Sequence, residues 1–67
     1  MNYEGFMSKV VDIVVRAGGG LNVRFSNDRE HGKFLALVSD GTMIIGRPNC
    51  LKITVRFGSG HQAMAEI

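Results

Sequence analysis

The stretch KFLALVSDGTMII, residues 33–45, decides the fold of this chain. It contains two apolar runs, 33–38 and 43–45, joined by a turn that has Asp40-Gly41 at its centre. An Asp-Gly pair between apolar runs is a strong local signal for a β-hairpin. Because both runs are apolar on both faces, the hairpin needs a partner on each side. A second sheet and a neighbouring subunit would meet that need.

Two other segments, Leu21–Ser26 and Ile53–Gly58, share the tripeptide Val-Arg-Phe. Alternate side chains of a β-strand point to opposite faces of the sheet. Each segment would therefore place an apolar row in the core and hold one arginine, Arg24 or Arg56, out into water. This pattern predicts a sheet with a polar, cationic face.

The N-terminal third gives two opposing signals. The run 10–17 is almost wholly β-branched and predicts a strand after a short helix or turn over 2–8. The apolar positions of the same region also keep helical spacing, so a single helix over 3–17 is the alternative.

Glycine-rich turns divide the rest of the chain. Gly18–Gly20 predicts a hairpin loop, and strands are expected over 51–57 and 61–67. The count predicts an all-β domain of five or six antiparallel strands in a small sandwich or barrel. The alternative is an α+β domain with an N-terminal helix on a four-stranded antiparallel sheet.

Length and composition limit the possible classes of protein. The 67 residues make one small domain, 1–67, which buries only roughly 60% of its unfolded surface. Cys50 is the single cysteine, so no intrachain disulfide is possible, and a homo-oligomer is expected to stabilise so small a core. No apolar run approaches the roughly 20 residues of a membrane span, and no signal peptide is recognisable. We therefore expect a cytoplasmic protein that does not contact the membrane.

The sequence contains no constellation of residues that predicts catalysis, so a protein that is not an enzyme is expected. The segment 58–63 matches the dinucleotide pattern G-x-G-x-x-A, but only four residues follow it, too few for the helix and second strand that the motif requires. His31 and His61 are isolated loop residues whose spacing with Cys50 does not fit a zinc site. We expect no cofactor and no metal.

The cationic positions on the strands are the remaining functional signal. Arg24, Lys52 and Arg56 would form one row if their strands share a face, and arginine on a rigid strand suits phosphate contacts. The first hypothesis is a regulatory, non-catalytic, oligomeric β-module that binds a polyanion, with RNA as the first candidate. One alternative is a small accessory protein of a phage or mobile element that inhibits a host protein. Another is a ring that binds a small molecule between subunits.

The chain also resembles the trp RNA-binding attenuation protein (TRAP) family over residues 12–58. The matching pieces occur in family order and are 12–15, 20–23, Lys33-Phe34, Gly41 with 44–45, and 53–56. The resemblance implies a small β-sandwich subunit that closes into a ring and binds RNA.

Site residues transfer from that family only in part. Arg56 and Phe34 match RNA-contacting positions of the family, whereas Thr54 stands where a strand lysine is expected and Leu37 lies near the expected position of another lysine. The loops that bind tryptophan in the family are poorly kept, which argues against tryptophan sensing. The predicted nucleic-acid-binding set is Arg24, Lys33, Phe34, Lys52 and Arg56.

Overall fold

One helix followed by a five-stranded antiparallel sheet forms this protein. The computed structural model describes residues 1–18 and 22–66. The elements are α1 (Tyr3–Arg16), β1 (Val23–Asp28), β2 (Lys33–Val38), β3 (Met43–Gly46), β4 (Lys52–Arg56) and β5 (Gln62–Glu66). Gly19, Gly20, Leu21 and Ile67 lie outside the described residues, and so do the parts of the predicted loop and strands that fall on them.

Local chemistry fixes both ends of α1. The Asn2 side chain caps the first turn, where its Oδ1 accepts a hydrogen bond from the Gly5 N–H at 2.7 Å. Arg16 lies in the last turn, where a cation complements the helix dipole, and contacts Asp12 at 3.3 Å. The helix is followed by Gly18, whose φ of 83° is readily adopted only by glycine.

The strand predicted over 10–17 is wrong, and the alternative of one helix is right. The buried side chains Phe6 and Val10 are four residues apart on one face of α1, whereas Val11 and Val15 are exposed. The low helix propensity of a β-branched residue costs at most about 0.7 kcal/mol. Burial of a large apolar side chain contributes about 1.5–3 kcal/mol, so the apolar face outweighs propensity.

The strands follow one another as a meander, with the order β1-β2-β3-β4-β5. The five observed strands correspond to the predicted strands after residue 20, because the strand predicted over 10–17 is part of α1. The Asp40-Gly41 turn joins β2 to β3 as expected. The predicted sandwich or barrel is wrong, because the sheet is open and α1, instead of a second sheet, covers one of its faces. The fold belongs to the alternative class, a helix on an antiparallel sheet, with five strands where four were predicted.

The core lies between α1 and the helix-facing side of the sheet. Phe6 is fully buried, and its ring centroid lies 5.5 Å from that of Phe34 and 6.5 Å from that of Phe25. The backbone of Gly46 in β3 lies directly beneath this ring. A Cβ atom at position 46 would come within 2.6 Å of the Phe6 ring, closer than side chains tolerate. Glycine at this position therefore lets the helix approach the sheet. The buried apolar residues are Phe6, Val10, Phe34, Ala36, Val38, Ile44, Ile53 and Val55.

The turn between β2 and β3 is held by a carboxylate. Oδ1 of Asp40 accepts a hydrogen bond from the Thr42 N–H at 2.9 Å, and Gly41 adopts a φ of 92°. The hydrogen bond from the Thr42 backbone holds the pKa of the Asp40 carboxyl below its ordinary value of 3.8. The ionised form of Asp40 therefore stabilises the folded state.

The contact between Phe6 and Gly46 can be tested by a double-mutant cycle. We expect Gly46→Ala to destabilise the protein by about 1–3 kcal/mol, because the new methyl group overlaps the Phe6 ring. The same change should cost clearly less in a Phe6→Leu background. Urea unfolding of the four proteins measures the coupling. Since alanine is normally about 0.5–1 kcal/mol better than glycine inside a strand, a stabilised Gly46→Ala protein would contradict the contact.

Asp40 gives the stability a defined pH dependence. Its pKa is lower in the folded than in the unfolded protein, so its contribution is complete above about pH 4 and is lost as the pH falls through the folded value. We expect the urea midpoint of Asp40→Asn to fall less steeply between pH 5 and pH 2.5, because an uncharged acceptor replaces the titrating carboxylate. Parallel midpoints for the two proteins would show that the turn does not depend on ionisation.

Candidate functional site

The side of the sheet that faces away from α1 is the candidate site. Strand alternation defines it, because Phe34, Ala36 and Val38 of β2 are buried under the helix while the residues between them point the other way. We call this side the outer face. Its residues are Arg24, Ser26, Asp28, Lys33, Leu35, Leu37, Met43, Ile45, Lys52, Thr54, Arg56, Gln62, Met64 and Glu66.

The register of the strands brings the two predicted arginines into one row. Arg24 lies opposite Leu37, Leu37 opposite Met43, and Met43 opposite Arg56. Three strand spacings therefore separate the backbones of Arg24 and Arg56, a distance of about 14 Å. Two cations thus flank two apolar side chains at one end of the outer face.

The predicted lysines lie at the other end of the outer face, each opposite an acid. Lys52 faces Glu66 across β4 and β5, and Lys33 faces Asp28 across β1 and β2. Lys52 is four residues from Arg56 along β4, about 13 Å away. Arg24, Lys33, Lys52 and Arg56 therefore share one face, but the acids offset part of the charge at the lysine end.

Phe34, which was predicted to bind nucleic acid, is not a surface residue. Its side chain is 4% exposed, and its ring centroid lies 5.3 Å from that of Tyr3 at the start of α1. The register explains this placement. In β2, Phe34 faces the helix, as do Ala36 and Val38. Leu37, which pairs with Arg24, points to the opposite side of the sheet. Phe34 is a core residue and is not available to a ligand on the outer face.

The centre of the outer face is apolar. Leu37 is 44% exposed and Met64 67% exposed, and Leu35, Met43 and Ile45 lie half-buried between them. This cluster arises because β2 and β3 are apolar on both faces and α1 covers only one of them. The aromatic side chains of the described strands, Phe25 and Phe34, lie on the helix-facing side.

A groove continues the outer face toward the loop between β3 and β4. Its volume is about 630 Å³, and Ile45, Thr54 and Met64 lie along it. Arg47 and Leu51 from the loop also line the groove, together with Lys52 and Glu66. Sequence reasoning missed Arg47 because it lies in a turn between predicted strands. It missed Leu51 because the strand predicted over 51–57 gives that residue the same face as Ile53, whereas β4 begins only at Lys52. The structure leaves the Leu51 side chain 69% exposed, and no sequence pattern indicates this exposure.

Asp28 and His31 form a local contact in the turn between β1 and β2. The Asp28 carboxylate contacts Nδ1 of His31 at 2.8 Å and accepts a hydrogen bond from the His31 N–H at 3.2 Å. The side-chain bond to His31 is the main cause that lowers the pKa of Asp28. This contact orders the turn between β1 and β2. Within residues 1–18 and 22–66, no three His, Cys, Asp or Glu residues come together as a metal site would require.

The one helix of the described chain, α1, has 14 residues and falls short of the length and hydropathy that crossing a bilayer demands.

Comparison with known proteins gives no relative. No known family matches this chain, and neither the curated proteins nor the solved structures include a similar one. The resemblance to the TRAP family therefore stays a prediction. Arg56, Thr54 and Leu37, three of the positions compared with that family, do lie together on the outer face.

Proposed function

We propose that this protein is a non-catalytic binding module. Its outer face docks onto an acidic, partly apolar surface of a partner protein. One observation carries the proposal: Arg24 and Arg56 flank an exposed apolar centre that α1 leaves uncovered. An accessory protein of this kind acts by occupying a surface of its partner. This is the same mode of action that the sequence suggested for a small inhibitor of a host protein.

The composition of the outer face supports a protein partner. Protein interfaces have an apolar centre and a polar rim, and they are enriched in methionine and arginine. Leu35, Leu37 and Ile45 supply the centre, Met43 and Met64 extend it, and the arginines lie at its border. Buried aliphatic contacts would provide affinity, and the rim cations would select an acidic partner.

RNA is the second candidate, and the shared placement of four cations favours it. Arg24, Lys33, Lys52 and Arg56 lie on one rigid face, where they could contact phosphates. Sheets that bind single-stranded RNA also stack bases on aromatic side chains. The described part of the outer face offers aliphatic side chains instead. For this reason we place the protein partner first.

Charge reversal on the outer face tests the first candidate. We expect the double variant Arg24→Glu/Arg56→Glu to bind its partner at least tenfold more weakly, because the rim would then repel an acidic surface. Arg29→Glu, in the exposed turn between β1 and β2, carries a charge reversal off this face and should retain binding. Immobilised wild type and variants are compared for capture from nuclease-treated lysate, and the captured partner is then titrated in purified form. Equal affinity of the double variant and the wild type would exclude the outer face.

The RNA candidate makes a distinct prediction about salt. If phosphate contacts dominate, the affinity for a labelled single-stranded RNA should fall steeply between about 50 and 200 mM salt. Loss of Arg24, Lys52 or Arg56 should each reduce the salt slope by about one. Fluorescence anisotropy at several salt concentrations measures both quantities. Absence of RNA binding at low salt would exclude this candidate and leave the protein candidate standing.

A further inference from the structure

Among the described strands, β1 pairs on one side only, with β2, and its other edge presents backbone groups in a defined pattern. The Asn22 carbonyl accepts a hydrogen bond from the Ser39 N–H, so residues 22, 24, 26 and 28 direct their backbone groups toward β2. The residues between them, Val23, Phe25 and Asn27, direct their N–H and C=O groups away from the sheet. The Asn27 carbonyl already accepts a hydrogen bond from the Arg29 N–H at 3.1 Å. The edge therefore offers three donors and the carbonyls of Val23 and Phe25 to another strand, and the Asn27 oxygen can accept a second bond through its other lone pair.

The sequence of β1 contains few of the devices that block edge pairing, and its two charged residues, Arg24 and Asp28, have opposite signs. Natural edge strands are short, bulged, or carry proline or lysine. The six residues Val-Arg-Phe-Ser-Asn-Asp of β1 contain neither proline nor lysine, and the pairing with β2 runs without a bulge from Val23 to Asp28. An edge of this kind is a template for strand addition.

We propose that β1 pairs antiparallel with β1 of a second copy of this chain, across a twofold axis that passes beside Ser26. The two sheets then form one continuous sheet of ten strands. The proposal does not rest on the proposed function, but Arg24 belongs to both, and the pairing would join the two outer faces into one surface. Arg56 lies on β4, away from this edge, so Arg56→Glu alone tests the proposed function without disturbing the pairing. Such an isologous contact closes on itself and yields a dimer.

Charge complementarity selects this register. With Ser26 opposite Ser26 of the second copy, Arg24 lies opposite Asp28 of that copy, and the symmetry repeats the pair. These residues occupy a non-hydrogen-bonded position, where Cα atoms are about 4.5 Å apart and opposite charges stabilise the pairing. A shift by two residues in either direction removes the Arg24–Asp28 pairs.

The same register covers apolar surface on the helix-facing side. Val23 and Phe25 are half-buried there, at the border of the core. Phe25 would lie opposite Asn27 of the second copy and diagonal to the other Phe25, within reach of an aromatic contact. The helix packs most closely on β2, one strand inward from the edge. The two helix axes would be about 14 Å apart, wider than the 8–10 Å of packed helices, so they would not obstruct the pairing.

The edge of β5 is the competing site, and its composition makes it the weaker one. Its sequence Gln-Ala-Met-Ala-Glu consists largely of residues that are poor in strands, whereas β1 contains valine and phenylalanine. Self-pairing of β5 would form no ion pair. Pairing of β5 with β1 would be heterologous and would build rings or filaments.

The first test is a charge swap followed by mass measurement. Sedimentation equilibrium of the wild type should show a dimer. Arg24→Asp and Asp28→Arg should each weaken dimerisation at least tenfold, because like charges then face each other. The double variant Arg24→Asp/Asp28→Arg should restore the dimer. Asp28→Arg also removes the bonds to His31, but the loss of that turn contact persists in the double variant and cannot cause the rescue.

The second test distinguishes the two edges. Asn27→Pro removes an outward N–H of β1 and should give a monomer, while Met64→Pro makes the matched change on β5 and should leave the dimer intact. Circular dichroism checks that each variant is folded. If either proline variant is unfolded, the charge swap alone tests the pairing of the two β1 strands. A wild type that is monomeric at all concentrations, an assembly larger than a dimer, or loss of the dimer only in Met64→Pro would each overturn the proposal.

Discussion

The close approach of the Phe6 ring to the backbone of Gly46 is the constraint on which the structure depends. It seats α1 on the sheet and aligns Tyr3, Phe25 and Phe34 around one aromatic centre. Without this contact the sheet would expose apolar side chains on both faces. The helix removes one face from water, and the other face is left for function. The candidate site therefore exists because a single short helix covers only half of the apolar surface that β2 and β3 present.

Turn signals, apolar runs and period-two patterns together predicted the five observed strands, and they also predicted a strand over 10–17 that is part of α1. The Asp40-Gly41 turn, the apolar runs beside it and the two Val-Arg-Phe segments all correspond to observed elements. The N-terminal helix was harder, because β-branched composition indicates a strand while the spacing of Phe6 and Val10 indicates a helix. Tertiary burial decides between them, and a local pattern does not contain that information.

The candidate site could be predicted only in part. Arg24 and Arg56 alternate with clearly apolar neighbours, so their side of the sheet followed from the sequence alone. Phe34 belongs to a run that is apolar on both sides, so alternation does not show which face its side chain occupies. Only the register with β1 determines that face. Arg47 and Leu51 lie in a loop, and their position beside β4 and β5 follows from the path of the chain after Pro48. Arg47 lies outside every periodic segment and Leu51 just before the observed start of β4, so the positions of both need the tertiary structure.

The meander also has a consequence for how the protein folds. Each strand pairs with its neighbour along the chain, so most contacts form by closing short loops, and chains with such local contacts fold rapidly. The docking of Phe6 on Gly46, forty residues away, is the long-range step. The hairpins can therefore assemble before the helix covers them. During that interval both apolar faces of β2 and β3 are open to solvent, which exposes the nascent sheet to aggregation and gives early helix docking a protective role.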